Sequence, residues 1–188
     1  MKYKMREKLK KLIKFIRQKL TFYQVKYFYN HKSLKLHLGC GNIRLNSYVN
    51  VDHRLTKATD MICDVRKLPW PENSVDEIVS FHVIEHITLK QAACALKEWH
   101  RVLKKNGKLV IECPDFDQTV REYLDGDSER IYNVYGRDRF SGDLHQFGYN
   151  FPRLKKILEE IGFRNVLQRP STDYHSKYEP SIRVEATK

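Results

Sequence analysis

The stretch from residue 35 to residue 52 constrains the fold of this chain more than any other part. An apolar run, residues 34–38, ends at Gly39-Cys40-Gly41-Asn42, and a second short apolar run, residues 48–51, ends on Asp52. Two strands, one ending at a glycine turn and the next at a carboxylate, indicate a nucleotide pocket at the carboxyl edge of a parallel sheet. Glycines allow a sharp turn and a close approach of ligand to backbone. A carboxylate at the next strand end can accept hydrogen bonds from both ribose hydroxyls.

The glycine pattern by itself is a weak signal. The third glycine of the dinucleotide fingerprint is absent, because Asn42 and the residues after it do not supply one. Asp52 follows Gly41 by only 11 positions, which is too short for a complete strand–helix–strand unit. A plain glycine turn between two buried strands therefore stays open as an alternative on this stretch alone.

The positive charge is concentrated in the first part of the chain. Of a formal net charge of +12, residues 1–32 contribute +10, with 11 Lys and Arg against one acid. The remaining residues are close to neutral, whereas an enzyme acting on nucleic acid more often carries positive charge around its own cleft. The four cysteines have neither metal nor redox spacing, and no secretion signal is present, which favours reduced thiols in a cytoplasmic protein.

Residues 5–23 carry apolar side chains at helical spacing, with lysines and arginines mostly on the other faces. We predict a basic amphipathic helix within residues 1–32. Such a helix suits an anionic membrane surface, which would place the protein peripherally on the inner membrane face. The alternative is that residues 1–30 pack on the domain itself or on a protein partner.

Strands and helices alternate through the rest of the chain. We predict strands at residues 60–63, 75–81, 108–113, 163–167 and 181–187, the last at a sheet edge, and helices at 89–103 and 152–161. Residues 114–150 are polar and aromatic, with predicted short helices at 116–124 and 128–135, and we interpret them as an inserted cover over the sheet edge that binds substrate. This alternation predicts an α/β protein with a doubly wound, mostly parallel sheet over residues 33–188.

The order of motifs resembles that of class I S-adenosylmethionine-dependent methyltransferases. His37-Leu38-Gly39-Cys40-Gly41-Asn42 is similar to the glycine loop of that family, and Leu68-Pro69-Trp70-Pro71-Glu72-Asn73-Ser74-Val75-Asp76-Glu77-Ile78 is similar to its "lpfpdnsfDli" stretch. Ser80-Phe81-His82-Val83-Ile84-Glu85-His86 resembles the "hvlEH" element, and residues 98–109 resemble the segment before the fifth strand. The resemblance implies a seven-stranded Rossmann-like sheet and S-adenosyl-L-methionine as the cofactor.

The same resemblance implies which residues bind the cofactor. The family binds its cofactor through the glycine loop, an acid for the ribose, an acid beside the adenine and the end of the fourth strand. The corresponding residues here are His37, Gly39, Cys40, Gly41, Asp52, His53, Asp64, Val65, Phe81 and His82. Two positions depart from the family pattern, since His37 stands where an acid is usual and Asn42 where a glycine is usual. Within the class, the chain is similar to small bacterial proteins that often accompany genes for surface polysaccharide synthesis.

Candidate catalytic residues must lie above the carboxyl edge of the sheet. We predict His145 as a base on the acceptor side, because histidine titrates near neutrality. Asp115 and His82 are further candidates. Alternatively, His145 packs beneath the cover and Asp115 caps the following helix. His82, Glu85 and His86 have spacing that could hold a divalent metal; we predict no metal site but leave this point open.

These observations favour methyl transfer to a small-molecule or glycan acceptor, at a hydroxyl group. A non-catalytic scaffold with the same fold is a second hypothesis, supported by the departures at His37 and Asn42. A nucleic-acid methyltransferase is a third, and the separation of charge between the N-terminal helix and the domain argues against it.

Overall fold

The computed structural model describes residues 33–188, which contain seven strands and four α-helices. The predicted N-terminal helix lies outside the described residues. The strands are β1 (Lys35–Leu38), β2 (Val49–Asp52), β3 (Met61–Ile62), β4 (Val75–Phe81), β5 (Leu103–Pro114), β6 (Arg164–Arg169) and β7 (Ser181–Thr187). The helices are α1 (Leu89–Val102), α2 (Phe116–Leu124), α3 (Ile131–Tyr135) and α4 (Phe151–Ile161).

All seven strands form one sheet in the order β3-β2-β1-β4-β5-β7-β6. The strands from β3 to β5 are mutually parallel, and β7 runs antiparallel to both of its neighbours, β5 and β6. The predicted doubly wound, mostly parallel sheet is confirmed. The prediction that residues 181–187 form an edge strand is wrong, because β7 lies between two strands and β6 is at the edge. The alternation of buried Ile182, Val184 and Ala186 in β7 would be the same at the edge of the sheet or inside it.

Local signals fix the helix ends closely. The Thr88 hydroxyl accepts from the N–H of Gln91 at 3.3 Å, and the Gln91 side chain accepts from the N–H of Thr88, which completes a capping box. Helix α4 ends at Gly162, whose φ of +113° is left-handed. Strand β5 begins at Leu103, five residues before the predicted start, because the chain turns at Asn106, φ +63°, and stays in the sheet on both sides of that turn.

The core lies between the sheet and helices α1 and α4. Leu96 and Trp99 of α1 are fully buried, together with Leu154 and Leu158 of α4. The Trp99 indole N–H donates to the carbonyl of Val65 at 2.9 Å, so that its polar atom is satisfied inside the core. Burial of each such side chain contributes roughly 1.5–3 kcal/mol.

The carboxyl ends of β1, β2, β4 and β5 meet at one edge of the sheet. Strand β7 begins at this same edge, since Ser181 pairs with Pro114. Residues 170–180 and 115–150 therefore both reach the edge where the predicted cofactor residues lie. No helix among residues 33–188 has the length and apolar character needed to cross a bilayer.

Candidate functional site

The chain leaves β1 through a bend formed by residues 39–41. Gly39 and Gly41 have φ of +73° and +51°. The N–H groups of Gly39 and Cys40 donate to the carbonyl of Val51 at 2.8 and 3.0 Å, which fixes the bend against β2. A Cβ at Gly39 would lie 2.2 Å from Cγ2 of Val83, whereas a Cβ at Gly41 would meet no atom within 4 Å. Packing therefore requires glycine at position 39, and Gly41 borders open space.

Asp52, the last residue of β2, turns its carboxylate toward this bend. The side chain accepts from the N–H of Gly41 through Oδ2 at 2.8 Å and from the N–H of Arg54 through Oδ1 at 2.8 Å. Only 3% of the residue is exposed. Each carboxylate oxygen can accept more than one hydrogen bond, so both keep capacity for a ligand. The arrangement joins the ends of β1 and β2 into one polar cradle.

A cavity of about 560 Å³ opens above the bend. Its volume lies within the range of roughly 300–1,000 Å³ that is typical of small-molecule sites. The ten residues predicted to bind the cofactor all line it: His37, Gly39, Cys40, Gly41, Asp52, His53, Asp64, Val65, Phe81 and His82. The sequence motifs, spread over 46 positions, are therefore brought to the wall of one cavity.

His37, which replaces the usual acid, is held in one tautomer by Asn50. The Asn50 Nδ2 donates to the carbonyl of Leu45 and to the Asp60 carboxylate, so its Oδ1 must be the acceptor for His37 Nδ1 at 3.0 Å. Nδ1 therefore carries the proton and Nε2 keeps a lone pair. Burial lowers the pKa of His37, and the hydrogen bond to Asn50 opposes this only in part. A neutral ring with one free acceptor nitrogen thus lines the cavity.

Asp64 and Arg66 also line the cavity. The guanidinium group donates to both carboxylate oxygens, at 2.9 Å from Nε to Oδ1 and 2.7 Å from Nη2 to Oδ2. This fork lowers the pKa of Asp64. The pair is about half exposed, so the carboxylate remains charged and accessible beside Val65.

His82 follows the last residue of β4 and has a φ of +54°, which is uncommon for a residue with a side chain. Its Nδ1 lies 3.3 Å from Oε1 of Glu85, and its ring stacks on that of His175 with centroids 4.0 Å apart. Burial opposes protonation, but the carboxylates of Glu85, Glu179 and Asp173 together raise the pKa of His82. Of the three predicted catalytic residues, His82 alone lines the cavity.

The other two predicted catalytic residues lie outside the cavity wall. Asp115 caps α2, accepting through Oδ1 from the N–H groups of Asp117 and Gln118 at 3.1 and 3.3 Å. His145 packs edge-on against His86, with ring centroids 4.9 Å apart, and burial lowers its pKa. Both residues occupy the structural alternatives that the sequence left open, and their catalytic roles stay predictions.

Sequence reasoning missed the loop between β6 and β7. Asp173, Tyr174 and His175 line the cavity opposite the glycine bend. The loop is anchored by Glu112, a fully buried carboxylate of β5 that accepts from the N–H groups of Thr172 and Asp173 at 3.1 Å each. The signal in the sequence was Glu112, an acid within the apolar run that forms the second half of β5.

The predicted cover also contributes to the cavity. Arg139, Phe140, Gly142 and Asp143 line it, and the guanidinium of Arg54 lies 4.0 Å from the centre of the Phe140 ring. Asp143 is buried and accepts from Nε of Arg139 at 2.9 Å, which lowers its pKa to about 2. This ion pair holds residues 139–143 across the open side of the cavity.

Comparison with known proteins agrees with this arrangement. Residues 45–111 match a family described as a methyltransferase domain. The chain is 27% identical over 127 residues, 67% of its length, to a ubiquinone/menaquinone biosynthesis C-methyltransferase of Paraburkholderia phymatum. It is 31% identical over 117 residues, 62% of its length, to a protein of Mycobacterium tuberculosis named a probable S-adenosylmethionine-dependent methyltransferase.

The fold is shared with a solved 1,6-didemethyltoxoflavin-N1-methyltransferase of Burkholderia thailandensis, which holds its substrate and S-adenosylhomocysteine. The TM-score is 0.57 at 13% identity, covering 92% of this chain and 77% of the other. The present chain spans only 51% and 37% of the length of the two curated relatives. The matched residues and the relatives make part of the chain similar to S-adenosylmethionine-dependent methyltransferases, and the shared sheet shows that the fold is the same as in solved methyltransferases such as the B. thailandensis protein.

Proposed function

We propose that this protein transfers the methyl group of S-adenosylmethionine to a hydroxyl group of a small-molecule or glycan acceptor in the cytoplasm. The observation that carries the cofactor half of this proposal is the Asp52 carboxylate, which is hydrogen-bonded to the glycine bend at Gly41 and lines the cavity beside it. Open space beside Gly41 and the buried acid Asp52 next to it suit an adenosyl group.

The residues present suit each part of the cofactor. Asp52 would accept from the ribose hydroxyls, and Asp64 and Val65, which follow β3, would border the adenine. The neutral His37 would accept through Nε2 from the ammonium group, in place of the usual carboxylate. When bound, the cofactor supplies a methyl group on a sulfonium, which is a good leaving group for in-line attack.

The described residues on the acceptor side supply position and charge. His82 and His175 form a stacked pair at the end of β4 with Asp173 beside them. These groups can donate to and accept from a hydroxylated acceptor. Residues 139–143 would exclude water from the open side of the cavity once a ligand lies beneath them.

The acceptor class is inferred from the side chains that line the cavity. The polar, histidine-rich wall of the cavity favours a hydroxyl acceptor. The relatives' names, in contrast, specify transfer to carbon in the P. phymatum protein and to nitrogen in the B. thailandensis protein. Carbon or nitrogen acceptors are therefore part of any assay.

Isothermal titration calorimetry with S-adenosylhomocysteine tests the cofactor site. We expect the full chain to bind it and Asp52→Ala to lose the binding. Glu160→Gln, which removes an exposed helix carboxylate, is the matched control and should bind as the wild type does. Equal affinity of the Asp52→Ala and wild-type proteins would overturn the proposed cofactor site.

Turnover is tested by release of S-adenosylhomocysteine from the methyl donor. Acceptors are offered in three groups: glycans and phenols with free hydroxyls, amines, and quinone precursors with an acidic carbon. Release with the first group alone supports the proposal. Binding of the cofactor with no release on any acceptor or cell extract would instead favour the non-catalytic scaffold, for which the histidine at position 37 is the supporting observation.

We further propose that residues 1–30 hold the protein on the anionic inner surface of the membrane. The support is the net charge of +10 in residues 1–32 and the helical spacing of the apolar residues in the sequence from 5 to 23. Flotation with vesicles containing phosphatidylserine should recover the full chain, and a chain lacking residues 1–32 should stay behind. Equal recovery of both would reject the membrane and favour a protein partner.

A further inference from the structure

The 3₁₀ turn at Ile84–His86 meets the chain segment just before α4. The N–H groups of Gln146 and Phe147 both donate to the carbonyl of Glu85, at 2.6 and 3.3 Å. This pairing holds His145 against Glu85 and His86. One ligand atom from each of these three side chains lies within 4.8 Å of the other two.

Glu85 is the unusual member of this group. The residue is 2% exposed, and neither carboxylate oxygen accepts a hydrogen bond from the described part of the chain. His82 Nδ1 at 3.3 Å and His86 Nε2 at 3.9 Å lie near Oε1 without hydrogen-bond geometry. Burying a carboxylate without hydrogen bonds is unfavourable unless the group is paired with charge or binds a metal.

The two imidazole rings are arranged as ligands. His145 Nδ1 lies 2.9 Å from the carbonyl of Asn133, and because a carbonyl only accepts, Nδ1 carries the proton and Nε2 keeps its lone pair. Metal-binding histidines characteristically donate their other ring N–H to a backbone carbonyl in this way. His86 Nδ1 is buried and has no hydrogen-bond partner within residues 33–188. The two rings are nearly perpendicular, at 75°.

A second group, His82, Asp173 and His175, also brings three possible ligand atoms together. There, however, the Asp173 carboxylate is already satisfied, because it accepts from the ring Nδ1 of His175 and from the His175 N–H at 3.2 Å. The buried carboxylate without a hydrogen bond is in the first group. His82 Nε2 in the second group is also buried without a hydrogen-bond partner among the described residues, but the carboxylate with neither oxygen hydrogen-bonded is Glu85, which favours the group of Glu85, His86 and His145.

We propose that Glu85, His86 and His145 bind a divalent transition-metal ion. Two imidazoles and one carboxylate favour an ion such as Zn²⁺, Co²⁺ or Fe²⁺ over Ca²⁺ or Mg²⁺. Three protein ligands leave at least one coordination position open. His86 also lines the cavity, whereas Glu85 and His145 lie behind its wall, so an open position directed past His86 would reach the cavity. The ion would hold an acceptor through its hydroxyl oxygen, and this last step rests on the proposed function.

Titration of the full chain with Co²⁺, after treatment with a chelator and a reductant, tests the site. We expect one Co²⁺ per chain with an absorption spectrum of nitrogen and oxygen ligands. Glu85→Gln and His145→Gln should each weaken binding at least tenfold. His175→Gln, which alters the neighbouring group, is the matched control and should keep wild-type affinity.

Several outcomes would overturn the proposal. The first is that Co²⁺ does not bind stoichiometrically. The second is that His175→Gln loses Co²⁺ binding while Glu85→Gln keeps it. The third is a thiolate charge-transfer band, which places the ion on a cysteine. Should Glu85→Gln fail to fold, His145→Gln decides, with thermal unfolding as a second readout, because Zn²⁺ should raise the Tm of the wild type but not of the variant. Metal binding is measured without cofactor, and cofactor binding with chelator present, so each proposal can fail alone.

Discussion

The two glycines of the bend should respond to the same substitution in different ways. At Gly39, alanine places a Cβ 2.2 Å from Cγ2 of Val83 and must also adopt a φ of +73°. The left-handed backbone costs about 1–2 kcal/mol, and overpacking adds about 1–3 kcal/mol. We therefore expect Gly39→Ala to lower the free energy of unfolding by roughly 2–5 kcal/mol. At Gly41 the space is open, so Gly41→Ala should cost only the backbone part.

Urea unfolding followed by circular dichroism measures both changes, with the midpoint reporting stability and an unchanged slope confirming that the same surface is exposed. Val83→Ala supplies the decisive control, because it removes the atom that Gly39→Ala would meet. In the double variant we expect about 1–3 kcal/mol of the Gly39→Ala penalty to be recovered. Val83→Ala should leave the Gly41→Ala penalty unchanged.

For cofactor affinity we expect the larger effect from Gly41→Ala rather than from Gly39→Ala. The added methyl group of Gly41→Ala enters the cavity, so affinity for S-adenosylhomocysteine should fall at least about tenfold, equivalent to 1.4 kcal/mol. Equal destabilisation by the two alanines, with no coupling between positions 39 and 83, would refute the assignment of Gly39 to packing. Undiminished affinity in Gly41→Ala would refute the assignment of Gly41 to the ligand.

Further expected outcomes concern single contacts. Thr88→Ala removes the capping box of α1 and should cost about 1 kcal/mol in urea unfolding. Glu112→Ala removes the buried acceptor that anchors the loop bearing Asp173, with a cost of about 3 kcal/mol and weaker cofactor binding by calorimetry. The pKa of Asp143 is lowered to about 2 by Arg139, so this pair stabilises the fold above pH 4 and its contribution is lost as the pH falls toward 2. After allowance for the exposed guanidinium, the difference in unfolding free energy between wild type and Asp143→Asn should be about 1 kcal/mol at pH 5 and near zero at pH 2.

Elements with strong local patterns could be predicted from the sequence closely. The fourth and seventh strands and the helix at Phe116–Leu124 have the bounds that were expected from alternation and capping residues. The capping alternative for Asp115 was also accessible, because an N-cap depends only on the residues that follow it. The cofactor cradle was accessible because strand ends and glycines mark it directly.

What could not be predicted depends on contacts distant in sequence. The place of β7 between β5 and β6 brings the loop with Asp173 and His175 to the cavity, and strand alternation does not specify neighbours. His145 was expected beside the acceptor, but the bonds from Gln146 and Phe147 to the carbonyl of Glu85 hold it behind the cavity wall. Backbone pairing of this kind leaves no pattern in either segment.

The position of β7 bears on how the protein is made. Pro114, the last residue of β5, is synthesised 67 residues before Ser181, the residue of β7 that pairs with it, and within residues 33–188 only β7 pairs with β6. While the ribosome is still adding residues 115–180, the N–H and C=O groups on the outer edge of β5 remain unpaired and β6 cannot join the sheet. Nascent chains that stall in this interval would present an open edge to one another, so translation speed and chaperone access over these residues should govern the yield of native protein.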